Sequence, residues 1–246
     1  MSRRAPKAPL SSRTPGGAGD SRTLVLERIR AALADVPPGE TPKDVPVPRD
    51  YRRSHADGDL VELFAERVAD YRATVLRCTP GEAAETIRRT LAGHGHTRVV
   101  VPPGFPPEIH PGPAAGAGQW WWPGPGAADE TESPEGERQP GVAELESAHA
   151  VVSTAAVAIA LTGTIVLDAG LGQGRRVLTL LPDHHLCVVR ASQILADVPE
   201  ALSALDPTRP LTFVSGPSAT SDIELDRVEG VHGPRVLEVL IVDDRA

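Results

Sequence analysis

ATVLRCTPGEAAETIRRTLAGHGHTRVVVPP, residues Ala73 to Pro103, decides the fold. Residues 73–78 read as a strand. Thr79 is then a candidate N-cap, Pro80 suits a first helical position, and Glu82 completes a capping box. Gly93 suits the C-terminal stop of that helix. Residues 97–103 follow as a short buried strand rich in valine. Strand, helix, strand is the unit of a parallel sheet with a right-handed crossover.

Upstream, Leu60, Leu63, Phe64, Arg67, Val68 and Tyr71 place one apolar stripe on a helix over about 59–71, with the Arg67 stem lying along it. Val25, Ile29, Ala32 and Leu33 mark an earlier helix over about 23–34. The proline-rich run after it reads as an extended linker. Residues 1–22 are rich in Pro, Gly and Ser and read as a disordered tail. The expected organisation is therefore a tail over 1–22, a helix and linker over 23–54, and an α/β domain over 55–246.

Downstream, residues 102–141 form a long loop rich in Pro, Gly and acid, with three consecutive tryptophans at 120–122. These either line a pocket or partner surface, or pack as a cover. Residues 148–168 read as two strands with a tight turn at Thr162-Gly163. Further strands are expected at 186–190, 210–216 and 235–242, and a helix after Asp197. "VLTLL", 177–181, is strand or helical turn by periodicity alone. The alternation implies an α/β sandwich around a mainly parallel sheet.

Composition narrows the function. The net charge is −8 and only 3% of residues are aromatic, so neither a basic face nor a base-stacking surface for nucleic acid is indicated. No apolar run is long enough to span a bilayer. Cys78 and Cys187 lie far apart in apolar runs, which suits reduced thiols in a cytoplasmic protein. No cysteine run has iron–sulfur spacing, so no cluster is expected in this chain. No Walker loop, nucleophile elbow or dinucleotide fingerprint is present.

Chemistry is expected where polar knots follow apolar runs, because ligands of parallel sheets sit beyond the carboxyl ends of strands. One knot is Thr162, Gly163 and Thr164. A second is Ser215, Gly216, Pro217, Ser218 and Thr220, leading to Asp222 and Glu224. A third is His232-Gly233-Pro234, at a strand entrance, which reaches the same rim only by folding back. Hydroxyls and backbone N–H groups in the second knot suit an anion; equally, one hydroxyl caps a turn and the rest are solvated. Asp222, Glu224 and His232 are the candidate acid–base groups, against the plainer reading of surface charges and a turn-pinning imidazole. Arg175 and Arg176 offer a guanidinium fork for a carboxylate or phosphate, against the plainer reading of a solvated loop pair. No metal site is expected, since the adjacent His184 and His185 point to opposite faces of a strand.

Four segments carry a resemblance: "AIALTGTIVLD" (158–168), "GRRVLTLLPDHHLCVV" (174–189), "SGPSATSDIEL" (215–225) and "RVEGVHGP" (227–234). In this order and spacing the chain closely resembles the lactate-utilisation protein C family of LUD-domain proteins, from about Leu60 to Val242. The resemblance implies a three-layer sandwich like that of ribose-5-phosphate isomerase and the CoA transferases. It also implies a cluster-free subunit that supports oxidation of L-lactate to pyruvate beside iron–sulfur partner proteins. Leu161 departs from the family pattern, which carries an acidic residue there. Two other functions fit the residues: an independent enzyme on a phosphorylated or CoA-linked small molecule with Glu224 as nucleophile or base, and a non-catalytic assembly protein that docks partners through its early helix and tryptophans.

Overall fold

In the computed structural model, the described residues are 18–37, 39–41, 43–44, 47–48, 58–112, 119–121, 140–220, 228–229 and 233–245. The chain falls into two compact units, 1–51 and 52–246. The first holds α1 (Ala18–Ala32), which begins ahead of the expected Thr23.

The second unit opens with α2 (Leu60–Asp70), whose Asp59 side chain accepts the Val61 N–H at 2.9 Å. That bond satisfies one of the orphan donors of the first turn. Val61, Phe64, Ala65 and Val68 are the buried stripe. β1 (Thr74–Cys78) follows, then a 3₁₀ turn at Pro80–Glu82, α3 (Ala83–Gly93) and β2 (Arg98–Val100). Glu82 reaches back to the Thr79 N–H and hydroxyl, at 3.0 and 2.7 Å. The helix ends at Gly93, as expected, but Gly93 is not the left-handed residue. Gly95, at φ +68°, holds the left-handed position, with Gly95 N–H on Ala92 C=O and His96 N–H on Leu91 C=O. This is the paired bonding of a Schellman stop.

β3 (Gln119–Trp121), inside the long loop, pairs parallel with β2. α4 (Val142–Ser147) leads to β4 (Ala150–Thr154), followed by β5 (Val157–Ile159) and β6 (Thr164–Leu167). The undecided segment "VLTLL" is a 3₁₀ turn at Arg176–Thr179 running into a bend. Next come β7 (His184–Arg190), β8 (Ile194–Leu195), α5 (Val198–Ala204), β9 (Thr212–Val214), β10 (Ala219–Thr220), β11 (Val228–Glu229) and β12 (Val236–Val242).

The central sheet has the order β1-β12-β7-β4-β2-β3, and every pairing in it is parallel. β7 and β12 are buried almost throughout, as strands covered on both faces must be. On one face lies α3, through Ala83, Ile87 and Leu91 against Leu186, Val188 and Leu240. On the other, α2 packs with a second sheet, β8-β5-β6-β9, against Cys187, Val189 and Ile241. α5 closes the back of that second sheet through Ala201 and Leu205. The expected hairpin turns at Thr162-Gly163, joining β5 to β6 antiparallel. β4, read from sequence as part of that hairpin, belongs to the central sheet instead. β9 pairs antiparallel with β6 and stays outside the central sheet. Among the described residues no helix is long and apolar enough to cross a membrane.

Candidate functional site

A cavity of about 280 Å³ lies where β7 and β12 begin. Four segments enclose it. His185 and Leu237 come from the two strands, with Gly233 and Pro234 just before β12. Ser215, Gly216, Pro217 and Ser218 follow β9. Arg176 and Thr179 come from the 3₁₀ turn. The Ser218 N–H donates to the Pro234 carbonyl at 2.8 Å, so the two glycine-proline corners are tied directly together.

The location differs from the expected one. The cavity sits at the entrance end of the central strands, not beyond their carboxyl ends. The cause is topological: β9 runs in the second sheet, so its carboxyl end delivers residues 215–218 to the place where β7 and β12 start.

The first knot supports this rim from behind. Thr162 Oγ1 lies 2.8 Å from Thr164 Oγ1, which lies 2.8 Å from Ser215 Oγ. Gly163, at φ +58°, would place a Cβ 2.7 Å from the Arg67 carbonyl carbon. Gly216, at φ +88°, would place one 2.7 Å from Tyr71 Cβ. Only glycine combines that backbone with that proximity. Both corners therefore rest on the C-terminal turn of α2. Leu161 is exposed beside the hairpin turn and does not line the cavity.

Arg176 is the cation of the crevice. Its Nη1 donates to Thr179 Oγ1 at 2.7 Å and to the Thr179 carbonyl at 3.2 Å. Burial pulls its pKa down. Among the described residues no carboxylate pairs with it. The neighbouring Arg175 points elsewhere, onto the Pro140 carbonyl at 3.0 Å. Thr220 is placed only as backbone, in β10 opposite Val228. Asp222, Glu224 and His232 lie outside the described residues.

His185 forms the floor. It is buried, with Nε2 2.7 Å from Ser153 Oγ. Burial, then His184 and Arg176, push its pKa down to about 3. A histidine kept neutral in the fold takes up a proton on unfolding below about pH 6.5. Its contribution is thus full above that pH and is lost as pH falls toward 3. His96, lowered to about 4 mainly by burial, acts with the same sign. Urea unfolding of chelator-treated protein should show a lower midpoint at pH 5 than at pH 7. A pH-independent midpoint across that window would contradict this placement.

His184 and His185 do point to opposite faces, as expected. On the α3 face, however, His184 meets His94 and His96, and one ring nitrogen from each lies within 4.8 Å of the others. Sequence reasoning missed this group. Its signal was "HGH" at the helix stop, where the Schellman turn aims both side chains at the start of β7.

The LUD domain family profile matches residues 61–242. The chain belongs to the LUD domain family. Lactate utilization protein C of Deinococcus radiodurans is 39% identical to it over 227 residues, covering 91% of this chain and 96% of that one. Lactate utilization protein C of Halalkalibacterium halodurans is 36% identical over 119 residues, 45% of this chain and 50% of that one. The crystal structure of a DUF162 family protein from D. radiodurans superposes with a TM-score of 0.56 at 34% identity, covering 75% of this chain and 96% of that chain. The LUD match contains every described wall of the crevice: the 3₁₀ turn, the Ser-Gly-Pro corner and the entrance of β12.

Proposed function

We propose that this LUD-domain chain is a cluster-free subunit of a lactate-utilisation system, and that its crevice takes a small carboxylate. In this reading it supports the oxidation of L-lactate to pyruvate. The two electrons released pass to partner proteins that carry iron–sulfur clusters. Relatives named lactate utilization protein C, one of them aligned along nearly its whole length, support the assignment.

The observation that carries the crevice reading is Arg176. A partly buried guanidinium whose hydrogen bonds among the described residues go to neutral groups favours an incoming anion, and its planar fork matches a carboxylate. The Ser215 and Ser218 hydroxyls beside it suit the 2-hydroxyl or 2-keto oxygen of such a ligand. Electron carriers are assigned to partners because the chain's two cysteines are ill-suited to hold a cluster. Cys187 is buried, and burial pushes its thiol up to about 12. Cys78 sits two strands away, across β12.

Growth tests the reading. A strain lacking this gene and any paralogue should fail to grow on L-lactate as sole carbon source while growing normally on pyruvate. Normal growth on L-lactate would reject the role.

A further inference from the structure

β12 buries one carboxylate in an otherwise apolar run. Glu238 is 6% exposed, and beside it His184 is 1% exposed. His94 Nε2 lies 3.1 Å from Glu238 Oε1, and His184 Nε2 lies 3.2 Å from Glu238 Oε2. The opposite nitrogen of His184 is 2.8 Å from His96 Nε2. The His94 and His96 rings stack 5.3 Å apart, at 13° to one another.

A self-contained polar knot would satisfy its buried atoms, and this one does not. His184 Nε2 and Glu238 Oε2 are both buried and stand 3.2 Å apart without the alignment of a hydrogen bond, and neither has another hydrogen-bond partner among the described residues. Burying polar atoms in such poor alignment is unfavourable. The remaining His184 nitrogen explains the mismatch. If it donates to His96, His184 Nε2 presents a lone pair toward a carboxylate oxygen, and two electron-rich atoms converge on one point. A cation there resolves the conflict.

We propose that His94, His96, His184 and Glu238 bind one divalent transition-metal cation of the zinc type, at the end of the central sheet where β7 begins. Three imidazoles and a carboxylate form a nitrogen-rich set that suits zinc or cobalt and not magnesium or calcium. Ligands about 2.0–2.1 Å from a shared zinc ion stand about 3.3 Å from one another. One nitrogen from each of the three rings already lies within 4.8 Å of the others, and binding closes that spacing as the His96–His184 hydrogen bond opens. Access is provided by a cleft of about 590 Å³ that His94, His96 and His149 line together. The Schellman turn at Gly95 supplies the rigid support, since it fixes the backbone of two of the four ligands. The site lies on the opposite face of the sheet from His185 and the carboxylate crevice, and it stands independently of the function proposed for that crevice.

The test uses the full, untagged chain freed of metal by chelator dialysis. Titration with Co²⁺ should saturate at one equivalent, with the visible absorption of a low-symmetry nitrogen–oxygen site that Zn²⁺ then displaces. Zn²⁺ should raise the melting temperature. His94→Ala and His96→Ala should each weaken Zn²⁺ binding by about 100-fold or more, beyond the usual loss from an outer-shell partner. Both should keep the circular dichroism of the metal-free parent. Glu238→Gln, which preserves shape, should weaken binding without restoring it on raising pH. Absence of one-equivalent binding would overturn the proposal. So would binding that both histidine variants leave unchanged, which would place the ion elsewhere.

Discussion

Arg176→Ala is expected to weaken binding of pyruvate or L-lactate about 10- to 100-fold, the range that follows from losing a charged hydrogen bond worth about 1.5–3 kcal/mol. The fold should survive, because among the described residues the Arg176 side chain bonds only to Thr179, within its own turn. Arg176→Lys keeps the charge but loses the fork, so it should recover part of the affinity and not all. Calorimetric titration of the three proteins checks this order. Equal affinity in wild type and Arg176→Ala would separate the guanidinium from the ligand. The same substitution should also fail to restore growth on L-lactate in the deletion strain.

Phe64→Ala should produce the largest loss of stability, about 3–5 kcal/mol, since a fully buried phenylalanine leaves a cavity as well as lost apolar contact. Phe64 holds α2 in the layer between the central and second sheets. Domains of this size are stable by about 5–15 kcal/mol, so the change removes a large share of the total. A linked effect is expected at the crevice, because Gly163 and Gly216 both seat on the end of α2. Urea denaturation gives the first quantity and ligand titration the second. A loss below about 1 kcal/mol would mean that α2 does not pack as described.

The fold was legible where local signals agreed. Asp197 was identifiable at its helix start and accepts the Glu200 N–H there; the Asp59 cap of α2 was not read. The strand–helix–strand unit at 73–103 forms, with β1 and β2 parallel in one sheet but separated by β12, β7 and β4, and the hairpin at Thr162-Gly163 turns where its glycine requires. The helix end at Gly93 was legible, but not the left-handed residue, because Gly93 and Gly95 stand two apart and only the second takes that conformation. β3 was hidden by the Pro and Gly around it, since three residues give too short a period to detect.

Candidate-site residues were legible as corners but not as a place. Local turn chemistry identified Gly216 and Gly233 without showing which sheet β9 would join. That choice depends on β6, nearly fifty residues upstream, and it moves the crevice to the other end of the strands. The histidine group was less visible still. His94 and His96 meet His184 across 88 residues of sequence, through a helix stop and a strand start that no local pattern connects.

The most direct measurement is a ¹⁵N NMR titration of the protein with pyruvate and L-lactate. The largest amide shifts should fall on Arg176, on 215–218 and on Gly233, where the two corners share the Ser218–Pro234 hydrogen bond. Shifts confined to the His94–Thr97 cleft, or absent at millimolar ligand, would contradict a carboxylate site between those corners.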